Sequence, residues 1–145
     1  MKKLILMIVV AAAFAFGQTD NNGKQARKSQ AQLLTRTEID DLLKNPDQIL
    51  IVDVRRPDEV SSIGGFPVYL SVQIGDLEKY LAFIPKDRTI ITLSNHAARG
   101  GRAADILTRA GFKVAGAAGA QTYEAEGGKL TRIVPPPPKA SAKKE

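Results

Sequence analysis

The segment Thr89–Leu107, "TIITLSNHAARGGRAADIL", decides the fold. From Thr89 to Leu93 every residue is β-branched or leucine, with no polar alternation. That is the pattern of a strand buried on both faces. From Gly100 or Gly101 to Ala110, the residues Ala103, Ile106, Leu107 and Ala110 recur at helical spacing. Gly111 follows, suited to the left-handed turn that ends a helix. Between strand and helix lies a short basic loop of small residues.

Outward from this unit the same alternation repeats. Thr35 to Glu38 reads as a capping box opening a helix, with Ile39, Leu42 and Leu43 on one face. Ile49 to Val52 is a second doubly buried strand. Arg56-Pro57-Asp58-Glu59 starts a turn or short helix. Val68 to Val72 is a further candidate strand. Asp76 is placed to cap a helix carrying Leu77, Tyr80, Leu81 and Ile84, which Pro85 stops. Lys113 to Ala117 is the last strand, and Tyr123 to Glu126 one more helical turn. Strands alternating with helices, without hairpin turns, predict an α/β domain with a parallel sheet covered on both faces.

Ligands of such sheets bind beyond the carboxyl ends of strands. Two ends qualify. Ser94, Asn95, His96, Ala97, Ala98, Arg99, Gly100, Gly101 and Arg102 form the better-equipped one. Small residues let amides turn inward, the helix start offers orphan donors, and two arginines add charge. No acidic residue occurs from Ser94 to Ala104. This is an anion-binding pattern. Asp53 and Arg55, after the first buried strand, are the supporting pair. A buried Asp53 needs a cation, from Arg55, Arg56 or Arg99, and a structural ion pair is expected rather than a catalytic acid. His96 reads equally as a neutral donor or base and as an exposed loop residue. Tyr123 is expected as a core or rim aromatic. With one His and no Cys, no metal site is expected, nor any cofactor.

The ends of the 145-residue chain differ from its middle. Lys2 and Lys3 precede an apolar run from Leu4 to Phe16, which reads as a signal peptide over residues 1–17. The run is too short for a comfortable membrane span. A polar spacer (18–32), the domain (33–133) and a Pro/Lys-rich tail (134–145) follow. Export predicts a periplasmic or secreted protein with no stable membrane anchor after cleavage. The net charge of +6 becomes +4 once Lys2 and Lys3 are removed. No basic stripe with interleaved aromatics accompanies it, so nucleic acid is not an expected partner.

Three stretches together resemble the rhodanese-like (sulfurtransferase) domain family. They are "ILIVDVRRPDEV", "TIITLSNHAARGGRAADILTRAGFKV" and "AGAQTYEAEGGKL". The resemblance implies a single domain, with a central parallel sheet of about five strands and helices on both faces. It also implies that Ser94 stands where the family carries its persulfide cysteine. Tyr123 stands where an aromatic, often Trp, is usual. The family's Gly-His-Ile-Pro-Gly stretch is replaced by "SSIGGFPV", and its last double glycine by Ala118-Gly119.

With no cysteine anywhere, persulfide transfer is closed to this chain: a hydroxyl is not ionised at neutral pH and does not carry transferable sulfur. The expected function is therefore a catalytically inactive module. It would bind a small oxyanion (thiosulfate, sulfate or phosphate) or an unidentified protein through the Ser94–Gly101 loop. One alternative is a hydrolase or phosphatase-like enzyme with Ser94 as nucleophile and His96 as base. The other is a purely structural domain.

Overall fold

A computed structural model describes residues 28–132. The proposed signal peptide, spacer residues 18–27, Ile133 and the Pro/Lys-rich tail lie outside the described residues.

Helix α1 (Arg36–Leu43) opens on the expected capping box. The Glu38 amide donates to the Thr35 hydroxyl, and the Thr35 amide donates to the Glu38 carboxylate at 2.8 Å. Strand β1 spans Ile49–Asp53 and helix α2 spans Pro57–Ile63. Strand β2 is only Leu70–Ser71. A 3₁₀ segment covers Leu77–Phe83, followed by β3 (Thr89–Ser94), α3 (Ala98–Arg109), β4 (Val114–Gly119) and α4 (Ala120–Ala125). The sheet is parallel throughout, in the order β2-β1-β3-β4.

Four expectations are corrected in detail. Among the described residues the sheet has four strands, and the fifth position is filled by a single parallel bridge from Leu33 to Ala117. The strand expected at Val68–Val72 shrinks because β1 is matched only at Val52 and Asp53, and Val68 is left 80% exposed. Over Leu77–Phe83 the chain tightens into a 3₁₀ helix, and the Asp76 side chain bonds Lys79 rather than capping the backbone. Helix α3 begins at Ala98, ahead of Gly100.

The two-residue period of the strands sorts the core. Ile49, Ile51, Ile91 and Leu93 face α1 and α4, packing with Ile39, Phe66 and Tyr123. Val52 and Ile90 face the other way, with Leu77, Ala103 and Leu107. Tyr123 is a core aromatic, its ring 5.1 Å from that of Phe66. Its hydroxyl donates to Asp40 at 2.7 Å and ties α4 to α1. Burial, reinforced by the Asp40 carboxylate, pushes the Tyr123 hydroxyl up to about 12.

Asp53 finds its cation in Arg55. Arg55 Nη2 donates to Asp53 Oδ2 at 2.7 Å and to the Gly64 carbonyl at 2.9 Å, and both residues are fully buried. The pair thus fixes the exit of β1 to the end of α2. Removing one partner leaves a buried charge uncompensated. Asp53→Ala is expected to cost about 3–5 kcal/mol, and the double variant Asp53→Ala/Arg55→Met to cost less than the single, both read from urea unfolding.

Candidate functional site

The alternation along β3 points Thr92 and Ser94 toward α3. There they hold the two backbone groups of one residue. Thr92 Oγ1 donates to the Gly100 carbonyl at 2.8 Å, and the Gly100 amide donates to Ser94 Oγ at 3.0 Å. A Cβ at position 100 would approach the Thr92 carbonyl tightly, at 3.3 Å, and would be in ordinary contact with Ser94 Oγ at 3.5 Å. Glycine is what lets α3 sit this close to the sheet.

Ser94 is therefore not at the mouth of the loop. It is 1% exposed, and its oxygen accepts one of the orphan amides of the helix start. His96 is exposed and makes no hydrogen bond to Ser94 among the described residues. The pairing that serine chemistry requires is not formed.

The turn into α3 is tight. Ala97 takes φ 64, the only non-glycine residue at positive φ among those described. Gly119, at the end of β4, lets the loop pack closely. A Cβ there would lie 3.1 Å from the Ala97 nitrogen and 3.2 Å from the Asn95 oxygen. The Asn95 carbonyl also accepts the Gln121 amide at 3.1 Å. The amides of His96, Ala97, Ala98 and Arg99 find no acceptor among the described residues.

Arg99 differs from expectation. Its guanidinium grips Glu59 of α2 with two bonds, Nη1 to Oε2 at 2.7 Å and Nη2 to Oε1 at 2.5 Å. Asn95 Nδ2 donates to the same carboxylate at 2.7 Å, and the Arg56 amide does so at 3.0 Å. The loop has no acid of its own, but α2 supplies one. Arg99 is thus a structural strut, not a free charge for a ligand. Sequence reading missed Glu59 as a site residue. Its only signal was its position in the Pro/Glu turn after Asp53-Val54-Arg55.

Two cations with no ion-pair partner among the described residues, Lys28 and Arg102, lie on the other side of the loop. A cavity of about 550 Å³ opens over the start of α3, with Lys28, His96 and Arg102 among its lining residues and no carboxylate. Ala97, Ala98 and Gly101 form its inner wall. No His, Cys, Asp or Glu side chains gather as metal ligands among the described residues. No helix among them is long and apolar enough to cross a membrane.

No protein-family model matches the sequence, and no curated protein does. Solved structures match it well. A rhodanese-related protein from Thermoplasma volcanium superposes with a TM-score of 0.60 at 20% identity, over 69% of this chain and 97% of that one. A rhodanese-like domain protein from Staphylococcus aureus gives 0.59 at 19% identity, over 71% and 99%. The fold is rhodanese-like. A thiosulfate sulfurtransferase from Pseudomonas aeruginosa gives 0.59 at 25% identity over 70% of this chain, which spans 20% of that larger protein. This chain with the rhodanese-like fold contains no cysteine.

Two outcomes follow from this geometry. Ser94→Ala leaves the buried Gly100 amide without an acceptor, a loss of about 1–3 kcal/mol expected in chemical denaturation. Arg99 beside Glu59 holds that carboxyl well below its ordinary 4.5, at about 2. A depressed folded-state pKa stabilises the fold above the unfolded value, and that stability is lost as pH falls from about 4.5 toward 2. Thermal melts across this window should show a drop that Glu59→Gln flattens.

Proposed function

We propose that this chain is an exported, catalytically inactive rhodanese-like module that binds a small oxyanion at the start of α3. The single observation that carries this is the cavity over that helix start, rimmed by Lys28, His96 and Arg102 without a carboxylate. The unpaired amides of His96 to Arg99 lie in the same loop. A helix start with orphan donors and nearby cations attracts negative charge. Thiosulfate, sulfate and phosphate share the needed chemistry.

The nucleophile's absence decides against sulfur transfer. A persulfide needs a sulfur atom to hold it, and this chain offers none in any cysteine. The Ser94-dependent hydrolase has less support, because the hydroxyl is buried and bound to Gly100. Export rests on the Lys2-Lys3 start and the apolar run to Phe16.

Sulfate titration followed by amide NMR tests the binding. Shifts are expected at His96 to Arg99. Arg102→Ala should weaken binding by about 0.2–1 kcal/mol, the worth of one exposed charge pair. Arg99→Ala should instead disturb Asn95 and Glu59, its partners. No response at millimolar sulfate would leave the structural-domain reading in its place. Purified protein should show no thiosulfate:cyanide sulfurtransferase turnover.

A further inference from the structure

The cavity over α3 has an outer wall that does not come from the domain's core. It comes from the segment just before Leu33. Gln32 and Leu34 bracket Ala117 of β4: the Ala117 amide donates to the Gln32 carbonyl at 2.8 Å, and the Leu34 amide donates to the Ala117 carbonyl at 2.9 Å. Further back, the Gln30 amide donates to Asp105 of α3 at 3.3 Å. The Ala31 amide folds onto the Ser29 hydroxyl at 3.0 Å.

Two glycines make room for this segment. A Cβ at Gly116 would lie 2.6 Å from the Gln32 carbonyl and 2.9 Å from Leu34 Cγ. A Cβ at Gly101 would lie 2.8 Å from both Cβ and Oγ of Ser29. Neither separation is tolerated between real atoms, so a methyl at either place lifts the segment. Gly101 lies within α3, where alanine is the better helix former. Its lack of a side chain serves the contact with Ser29, not the helix.

We propose that Lys28–Leu33 is a strap that completes the binding site and selects an organic anion with a short apolar body over a bare inorganic oxyanion. The inference rests on the binding reading above. The strap contributes a cation at Lys28 and apolar wall at Ala31 and Leu33. Leu33 is 66% exposed and lines the cavity. Facing it, Ala97 and Ala98 add more apolar wall. A volume of about 550 Å³ falls in the range of small-molecule pockets and exceeds what one sulfate fills. A lining that joins cations to apolar wall, with no carboxylate, fits a short-chain sulfonate or carboxylate.

The test compares sulfate with 1-butanesulfonate on the full chain, by calorimetry and amide NMR. The wild type should bind butanesulfonate at least tenfold more tightly. Gly101→Ala should shift the Ser29 to Gln32 amides, speed tryptic cleavage after Lys28, and erase the preference. Lys28→Ala, an exposed change that leaves the strap seated, should weaken butanesulfonate several-fold. Equal affinity for the two anions overturns the strap's role and leaves the loop reading standing. So does a preference that survives Gly101→Ala once the strap has moved. If neither anion binds, both readings fall together.

Discussion

The clamp on Gly100 is the constraint on which the site depends. Thr92 and Ser94 lie two residues apart on β3, so their side chains leave the same face of the sheet. One donates to the Gly100 carbonyl and the other accepts its amide. That sets the depth of α3 against β3 and β4. The loop from Asn95 to Ala97 must then close a fixed gap in three residues. Ala97 takes the left-handed conformation to do so, and Gly119 yields the space. Left-handed backbone costs a non-glycine residue of order 1 kcal/mol. The two clamp bonds and the Glu59 hub offset that cost.

What the sequence disclosed follows from the range of each interaction. β1, β3 and α3 were legible because their burial is written in local period: two for the strands, 3.6 for the helix. The capping box at Thr35 and Glu38 was legible because both partners lie within four residues. The Val68–Val72 stretch misled for the opposite reason. Its composition suits a strand, but a strand needs a neighbour, and β1 offers only Val52 and Asp53 to this edge. Glu59 was out of reach of any local pattern. It sits 40 residues from Arg99, and only the fold brings α2 beside the loop. The same holds for the strap, whose contacts with Gly101 and Asp105 span the length of the domain.

Serine at position 94 has a structural task of its own. A buried amide needs an acceptor, and a hydroxyl oxygen is a better one than a thiol sulfur. Ser94 therefore gives the helix start a stronger anchor than cysteine would. Alanine there would leave the Gly100 amide unsatisfied. Serine at this position thus serves the architecture of the loop.

The charges of the loop divide between two tasks. Arg99 and Arg102 are three residues apart on one helix, yet they face different surroundings. Arg99 turns to Glu59, where two parallel bonds neutralise it and stitch α2 to α3. Arg102 is exposed on the cavity side, with His96 and Lys28. A site built on Arg99 would have to break a bidentate pair before gripping a ligand, at a cost that a surface ion pair does not repay. A site built on Arg102 and the free amides pays no such cost. Its other cation, Lys28, belongs to a segment seated on Gly101 and Gly116 and tied by bonds to Ala117, Asp105 and Glu38. The proposed site accordingly extends past the sheet and its helices to the segment before β1 and α1.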